Sequence, residues 1–322
     1  MRILLVKTSS LGDVIHNLPV VSDVCRALPD AEIDWVVEEG FAELPRLHPT
    51  VRRVIPVAIR RWRRALLSRT TWREIRAYRH AVSRPAGADF YDAVIDTQGL
   101  IKSALLTAQA SGKKFGLAAL SAREPVAARF YDQSFVIPQG LHAVERNRRL
   151  VAAALGYVLD DLPLDYGIDA PPLSATWLPA GEYAVLLTAT SRTDKEWPEE
   201  HWRALGSALI ATGLRCILPG GSESERSRAN RLANTLGRAE AAPAMNLTDL
   251  AGLLAGARIV VGVDTGLVHL AAALGRPTLA LYCASDPVLT GVLGTAPHIN
   301  LGGPSAPPSA AETVAAALKL LG

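Results

Sequence analysis

The stretch that most constrains this chain runs from Arg258 to Tyr282. Ile259-Val260-Val261-Gly262-Val263 is an apolar, β-branched run of strand length, suited to a position buried on both faces, and Thr278-Leu279-Ala280-Leu281-Tyr282 is a second. Between them Leu267 to Leu274 has the composition of a helix, closed by Gly275 and then Pro277. Two buried strands joined through a helix predict an α/β protein with a parallel, helix-covered sheet. The turn that opens this helix is Asp264-Thr265-Gly266. Asp264 and Thr265 are good N-cap types, Gly266 lets a ligand approach the backbone, and the helix N–H groups and dipole then favour an anion such as a phosphate. His269 follows one turn later. Turns of this kind also serve as plain helix caps, and a lone histidine on such a helix is often a packed core residue. The turn gains weight because similar strand–loop–helix units recur along the chain.

Arg2 to Val6 reads as the first strand and Val14 to Leu28 as a helix, with the small polar loop Lys7-Thr8-Ser9-Ser10-Leu11-Gly12-Asp13 between them. Ile33 to Val37 and the stretch Arg52 to Val57 follow as strands. Asp92 to Asp96 is another, leading through Thr97-Gln98-Gly99 into a helix over Leu100 to Ala110. From Asp160 to Gly181 prolines interrupt and periodicity fades, as in a linker. The alternation restarts with Tyr183 to Leu187, the loop Thr188 to Lys195, a helix with Pro198 in its first turn, and the strand Cys216-Ile217-Leu218. A Pro/Ser/Ala stretch from Ser305 to Ser309 leads to a last helix, Ala310 to Leu321. The expected organisation is two Rossmann-like domains with parallel sheets facing each other, residues 1–165 and 180–305, followed by a C-terminal helix within 306–322.

The 322 residues suffice for two ordinary domains, and 49% hydrophobic content argues against wholesale disorder. No run approaches the ~20 apolar residues of a bilayer span, and the apolar run before Lys7 is too short for a signal-peptide core, so a cytoplasmic location is expected. Three isolated cysteines without C-x-x-C spacing fit reduced thiols and support neither a disulfide framework nor a zinc site. Charge is uneven. Residues 51–84 hold eleven arginines against one acid, Glu74, a local +10 in a chain of net +3. Such a segment calls for an anionic partner, a membrane surface or a solvated, flexible existence, and its mutually repelling arginines are not expected to be rigid before an anion arrives.

Several residues could carry chemistry. In the second half Thr190 and Ser191 offer hydroxyls, Lys195 a point charge and the 264–266 turn a helix start, together able to grip a nucleotide diphosphate. Glu223, after Pro219-Gly220-Gly221, could accept from a ribose diol. Alone, Lys195 and Glu223 would read as ordinary surface charges. The first half offers one loop carboxylate, Asp13. A glycosyl transfer that inverts the anomeric centre needs one base for the acceptor hydroxyl, and a diphosphate leaves without a protonated acid. Asp13 could equally be the N-cap of the helix that follows it. No D-x-D pair is present to hold Mg²⁺ or Mn²⁺ on a sugar diphosphate, which leaves the charge of the departing group to Lys195 and helix N–H groups.

Five stretches, Lys7 to Val14, Asp34 to Phe41, Val54 to Arg63, Asp194 to Trp202 and Val263 to Leu270, together resemble the ADP-heptose:lipopolysaccharide heptosyltransferase family, in the branch that adds the first heptose. The resemblance runs in one order over nearly the whole chain. It implies a GT-B fold with the two domains across a cleft, ADP-L-glycero-D-manno-heptose as donor, the Kdo of Kdo2-lipid A as acceptor, inversion, no essential metal, and work at the inner face of the inner membrane. Carried over by position, it makes Asp13 the base. It puts Ser10, Gly12, Thr190, Ser191, Lys195, Glu223, Met245, Asp264, Thr265, Gly266 and His269 at the donor, and Lys7, Arg60, Arg61, Arg63, Arg64 and Arg123 at the acceptor. Ser191 stands where the family pattern has a second threonine. The loop after Gly221 also differs in length, which leaves Glu225 as the alternative to Glu223.

Within enzymes the competing reading is a related transferase that adds a later heptose. A different class is a non-catalytic anion- or nucleic-acid-binding protein using residues 51–84. That segment has only Trp62, Trp72 and Tyr78 interleaved with its arginines and matches no nucleic-acid module, so a nucleic-acid partner is not expected.

Overall fold

A computed structural model of the chain describes residues 1–83, 90–190 and 192–322. Of the residues singled out above, Ser191 and Arg84 lie outside the described residues. The chain divides into two compact units, Met1–Gly167 and Ile168–Gly322.

The first unit contains β1 (Arg2–Val6), α1 (Leu11–Ile15), α2 (Leu18–Ala27), β2 (Glu32–Glu38), α3 (Glu43–Arg46), β3 (Val51–Val57), α4 (Ile59–Arg64), α5 (Arg69–Ser83), β4 (Tyr91–Asp96), α6 (Ile101–Thr107), β5 (Gly112–Leu117), β6 (Gln133–Phe135) and α7 (Ala143–Leu155). Its six strands lie in the order β3-β2-β1-β4-β5-β6, every pair parallel. The second unit contains β7 (Tyr183–Leu187), α8 (Glu199–Ala211), β8 (Arg215–Leu218), α9 (Glu223–Leu236), β9 (Ala239–Ala241), α10 (Leu247–Ala255), β10 (Ile259–Val263), α11 (Gly266–Ala273), β11 (Thr278–Tyr282), α12 (Pro287–Thr290), β12 (His298–Gly302) and α13 (Ala310–Leu321). Its order is β12-β11-β10-β7-β8-β9, again all parallel.

Both sheets thus repeat one doubly wound order, with the first strand of each unit central. Winding reverses between β1 and β4 and between β7 and β10, and open α/β sheets bind ligands outside the strand C-termini at such a switch point. The central strands owe their places to composition: β7, β10 and β11 are buried along their whole length, as is β1 beyond Arg2. A Cβ at Gly262 of β10 would sit 2.8 Å from the Leu187 Cβ of β7, so glycine lets the two strands pack at that level. Under the second sheet Trp197 and Trp202 pack edge to face, centroids 5.0 Å apart, and the Trp197 indole donates to Pro308 O. Helix α13 packs on α8 and on β10, β11 and β12, with Ala317 fully buried, and so belongs to the second unit's core.

Two expectations are corrected. The single helix over Val14–Leu28 is two, α1 starting at Leu11 and α2 at Leu18 with Pro19 in its first turn. Pro19 has no N–H to give, and its ring would crowd the carbonyl of Ile15, so a continuous helix breaks one turn before it. The basic segment is also ordered, as β3, α4 and α5. Most of its acids come from outside it: Arg61 bridges Glu39 at 2.9 Å as well as Glu74 at 3.0 Å, while Arg52 and Arg53 share Asp34 at 2.8 and 2.9 Å. Counting charge within the segment alone overstates the repulsion.

Candidate active site

In the first unit the loop after β1 meets the loop after β4. Lys7 is buried, and its amino group donates to Thr97 O at 2.9 Å and Asn147 Oδ1 at 3.3 Å. Burial lowers its pKa against the opposing pull of Asp13 and Asp96. Asp96, at the end of β4, is fully buried; burial raises its pKa, although Gln98 N at 2.8 Å and the Tyr131 hydroxyl at 2.8 Å donate to it. Gln98 Oε1 accepts from the Thr8 amide and hydroxyl, 2.8 and 2.7 Å, tying the two loops together. Lys102 of α6 donates to Ser9 Oγ at 2.7 Å, and its pKa is lowered by burial with Glu38, Arg60 and Asp13 in its electrostatic surroundings.

Asp13 is neither a loop residue nor the N-cap. It is the third residue of α1, and Oδ2 accepts from Ser10 N at 2.7 Å and Ser10 Oγ at 2.9 Å. One carboxylate oxygen therefore holds the helix start, which fixes the side chain and leaves Oδ1 for other work. Gly12 lies in the same first turn, and Ser10 is the N-cap.

Arg60, Arg61, Arg63 and Arg64 form most of α4, and all four are exposed. They surround the helix rather than lining one side, with Trp62 buried among them. The Arg60 guanidinium stacks 5.6 Å from the Phe41 ring centroid, and Arg61 is committed to Glu39 and Glu74. Arg123 is exposed in the connection between β5 and the short 3-10 turn Pro125–Phe130.

In the second unit the loops after β7, β10 and β11 converge. Lys195 Nζ lies 2.5 Å from Asp264 Oδ2, which also accepts from Ser285 Oγ at 2.5 Å, and His269 Nε2 lies 3.5 Å from Asp264 Oδ1. Burial alone would push the Asp264 pKa up, but hydrogen bonds from His269, Lys195 and Ser285 and the Lys195 charge hold it far below the usual carboxylate range. The carboxylate is thus a fixed anion that aims three donors. Lys195 spends one of its three protons there and keeps two. The cap of α11 is Thr265, in extended backbone and making no side-chain cap bond. Its buried Oγ1 has no partner among the described residues. The helix start at the switch point therefore presents uncapped N–H groups beside an orphaned hydroxyl and an ammonium, an arrangement complementary to a phosphate. Asp264, two residues before the helix, caps nothing and works through Lys195 instead.

A cavity of ≈ 510 Å³ in the second unit is lined by Thr190, Trp197, Glu199, Ser224, Glu225 and Arg228 among others, with none of the cluster residues in its wall. Glu225 is the capping residue of α9, its Oε2 accepting from Gly221 N at 2.8 Å and Ser222 N at 2.9 Å. Glu223 is the first residue of the same helix, exposed and without a hydrogen bond or ion pair among the described residues. Met245 is half-buried between β9 and α10. Of the predicted donor residues, Lys195, Asp264, Thr265, Gly266 and His269 are brought together, while Ser10 and Gly12 belong to the first unit. Ser285, Lys102, Gln98 and Asp96 are not singled out from the sequence; their signal is positional, Asp96 ending β4, Gln98 and Ser285 lying in the loops just beyond β4 and β11, and Lys102 in the first turn of the helix that follows β4. Among the described residues no group of three or more His, Cys, Asp or Glu side chains could hold a metal ion, and no helix is long and apolar enough to cross a membrane.

The chain is 50% identical over 295 residues to lipopolysaccharide heptosyltransferase 1 of Escherichia coli (strain K12), covering 91% of each. To the protein of that name from Pseudomonas aeruginosa it is 49% identical over 311 residues, 95% of this chain and 86% of that one. The structure of E. coli heptosyltransferase WaaC with ADP superimposes with a TM-score of 0.88 at 47% identity, and that with ADP-2-deoxy-2-fluoro heptose with 0.84 at 46%; each covers 99% of this chain and 98% of that one. The two parallel doubly wound sheets are those of the GT-B class, and the model of glycosyltransferase family 9 (heptosyltransferase) matches residues 79–314; the chain belongs to that family.

Proposed function

We propose that this chain transfers L-glycero-D-manno-heptose from ADP-heptose to the Kdo of Kdo2-lipid A, inverting the anomeric centre, in lipopolysaccharide inner-core synthesis. The observation that carries the donor half is the Lys195–Asp264 pair beside the uncapped start of α11 at the switch point of the second sheet. That cluster receives the diphosphate. Lys195 and the Thr265–Gly266 N–H groups face it, and Asp264 keeps Lys195 aimed. His269 and Met245 complete the donor residues with Glu223, which makes no hydrogen bond or ion pair among the described residues, at the ribose; Glu225, whose Oε2 caps α9 and whose Oε1 is left over, is the alternative.

In the reaction the acceptor hydroxyl oxygen forms a bond to the anomeric carbon as the bond from that carbon to the diphosphate oxygen breaks. Asp13 Oδ1 takes the hydroxyl proton, and the negative charge that grows on ADP is met by Lys195 and the helix dipole. With the leaving group served by an ammonium and backbone N–H groups, no metal is required, and activity is expected to survive EDTA. Arg60, Arg63, Arg64 and Arg123, exposed on the first unit, would meet the phosphates and carboxylates of the acceptor, with the chain at the inner face of the inner membrane. Lys7 and Arg61 would act one step back, since both are committed within the first unit.

The test is product analysis after incubation with ADP-heptose and Kdo2-lipid A. A product heavier by one heptose, with inverted anomeric configuration and one ADP released per transfer, is expected. Hydrolysis of the donor without a glycosylated lipid, or retention of configuration, would overturn the assignment.

A further inference from the structure

The turn between α4 and α5, together with the start of α5, carries the least sheltered large apolar side chains of the basic segment. Leu67 is 101% exposed, Leu66 56% and Trp72 53%. The turn is nonetheless built: Ser68 N donates to Ala65 O at 3.0 Å, Trp72 N to Ser68 O at 3.3 Å, and the Trp72 indole N–H to Leu66 O at 2.8 Å. That last bond lays the indole against the turn, so the two leucines and the tryptophan form one apolar tip. On α5, Arg69, Trp72, Arg73 and Arg76 follow the i, i+3, i+4, i+7 spacing of a single helix face, opposite the buried Thr71, Tyr78 and Val82. Arg69, Arg73 and Arg76 are exposed, and none has an ion-pair partner among the described residues; Glu74, the segment's acid, is taken by Arg61 and Trp62.

We infer that this tip inserts into the headgroup region of an anionic phospholipid bilayer, with Leu66 and Leu67 entering the acyl boundary, Trp72 at the interface and Arg69, Arg73 and Arg76 on lipid phosphates. Each part matches that partner. Tryptophan favours the membrane–water interface, arginine forks pair with phosphate, and an exposed leucine pair gains burial only where acyl chains receive it. A second copy of this chain fits poorly, because a symmetric contact would bring the same arginines against each other. The inference deepens the proposed function, since a lipid acceptor is presented at such a surface, and rests on that reading only for its activity arm.

The experiment is co-sedimentation of the full chain with vesicles of phosphatidylcholine alone or of phosphatidylethanolamine with phosphatidylglycerol. The wild type is expected to bind the anionic vesicles and leave the neutral ones. Leu66→Ser/Leu67→Ser should weaken anionic binding about tenfold or more and make the remainder fully salt-sensitive. Arg73→Ser/Arg76→Ser should weaken it while keeping a salt-resistant part. Unchanged binding by the leucine variant overturns the inference, as does wild-type binding to immobilised polyglutamate that matches the vesicles and ignores the leucines, which would indicate an acidic protein partner. In the activity arm the leucine variant should lose rate on acceptor embedded in vesicles and keep it on a water-soluble, deacylated acceptor; equal rates on both overturn the tip's role. A wild type that transfers to neither acceptor would refute the proposed function and leave the vesicle result standing.

Discussion

Replacing Asp13 with asparagine separates chemistry from structure at the proposed base. Oδ2 of Asp13 accepts both Ser10 bonds, at 2.7 and 2.9 Å. The amide oxygen of the introduced side chain can accept both in its place, with the NH₂ taking the outward position, so what the helix loses is the charge near its N-terminus, about 0.3–1 kcal/mol. Asp13→Ala loses the hydrogen bonds as well, roughly 1–2 kcal/mol in all. Both are small against a two-unit protein, and both variants should fold. Catalysis should respond differently, because an amide cannot take the acceptor proton: kcat should fall about 10²- to 10⁴-fold in either variant, the range a general base supplies. ADP affinity by calorimetry should stay within a few-fold, since the proposed diphosphate grip belongs to the other unit. The assays are initial rates of ADP release with saturating acceptor, calorimetric titration of ADP, and thermal midpoints. A kcat for Asp13→Asn within a few-fold of wild type would remove Asp13 from the chemistry. A fall in kcat for alanine alone would mean that Asp13 acts only by holding the start of α1.

Lys195→Ala should weaken ADP binding roughly ten- to a hundredfold and lower kcat with it, the size of a charge-assisted bond to phosphate; unchanged calorimetric affinity would show that Lys195 serves only Asp264. Arg63→Ala/Arg64→Ala should raise KM for Kdo2-lipid A several-fold and leave donor KM unchanged, whereas equal effects on both substrates would return these arginines to a solvated face. Arg61→Ala should quicken hydrogen exchange across residues 59–74, because Arg61 ties α4 to Glu39 and Glu74; exchange as in wild type would mean that those bridges hold nothing. Stability should also fall in mild acid through His48, whose pKa burial lowers from 6.5 to about 4 while Ser22 and Thr50 hold its ring. The folded chain keeps His48 neutral where the unfolded chain protonates it, so its contribution is present above pH 6.5 and is lost as pH falls towards 4, about 2 kcal/mol by pH 5 and about 3 in full. Urea titrations of wild type and His48→Gln at neutral pH and at pH 5 should converge by that amount, and parallel curves would refute it.

The central strands are legible because burial on both faces demands continuous β-branched and aliphatic runs, as in Ile259–Val263 and Tyr183–Leu187. Of the outer strands, β3 is legible as Arg52 to Val57 but the two shortest are not. β6 (Gln133–Phe135) and β9 (Ala239–Ala241) are three residues each and only partly covered, so neither hydrophobicity nor alternation marks them. At the second-unit site the helix start is readable from Asp264-Thr265-Gly266. The Lys195–Asp264 pair is not, because those residues are 69 apart in sequence and meet only when β7 pairs with β10. Ser285 is hidden for the same reason, arriving after β11. The capping role of Asp13 is visible as Ser10-x-x-Asp13 spacing and is lost when the helix is started at Val14. Lys102 carries no motif; its place beside Ser9 follows from β1 pairing with β4.

Each sheet is assembled from one uninterrupted length of chain, and this bears on how the molecule is made. All strands of the first unit precede residue 136, and α7 ends at Leu155, before the first strand of the second begins at Tyr183. No strand is borrowed across Gly167, so on a ribosome working from the N-terminus the first unit can close its sheet while the second is still being translated. The second unit has no such freedom. α13, which covers β10, β11 and β12 beside α8, spans Ala310–Leu321, so that part of the sheet stays uncovered on one side until synthesis has passed it. A nascent chain stalled shortly before Ala310 should therefore carry a protease-resistant first half joined to a protease-sensitive second half.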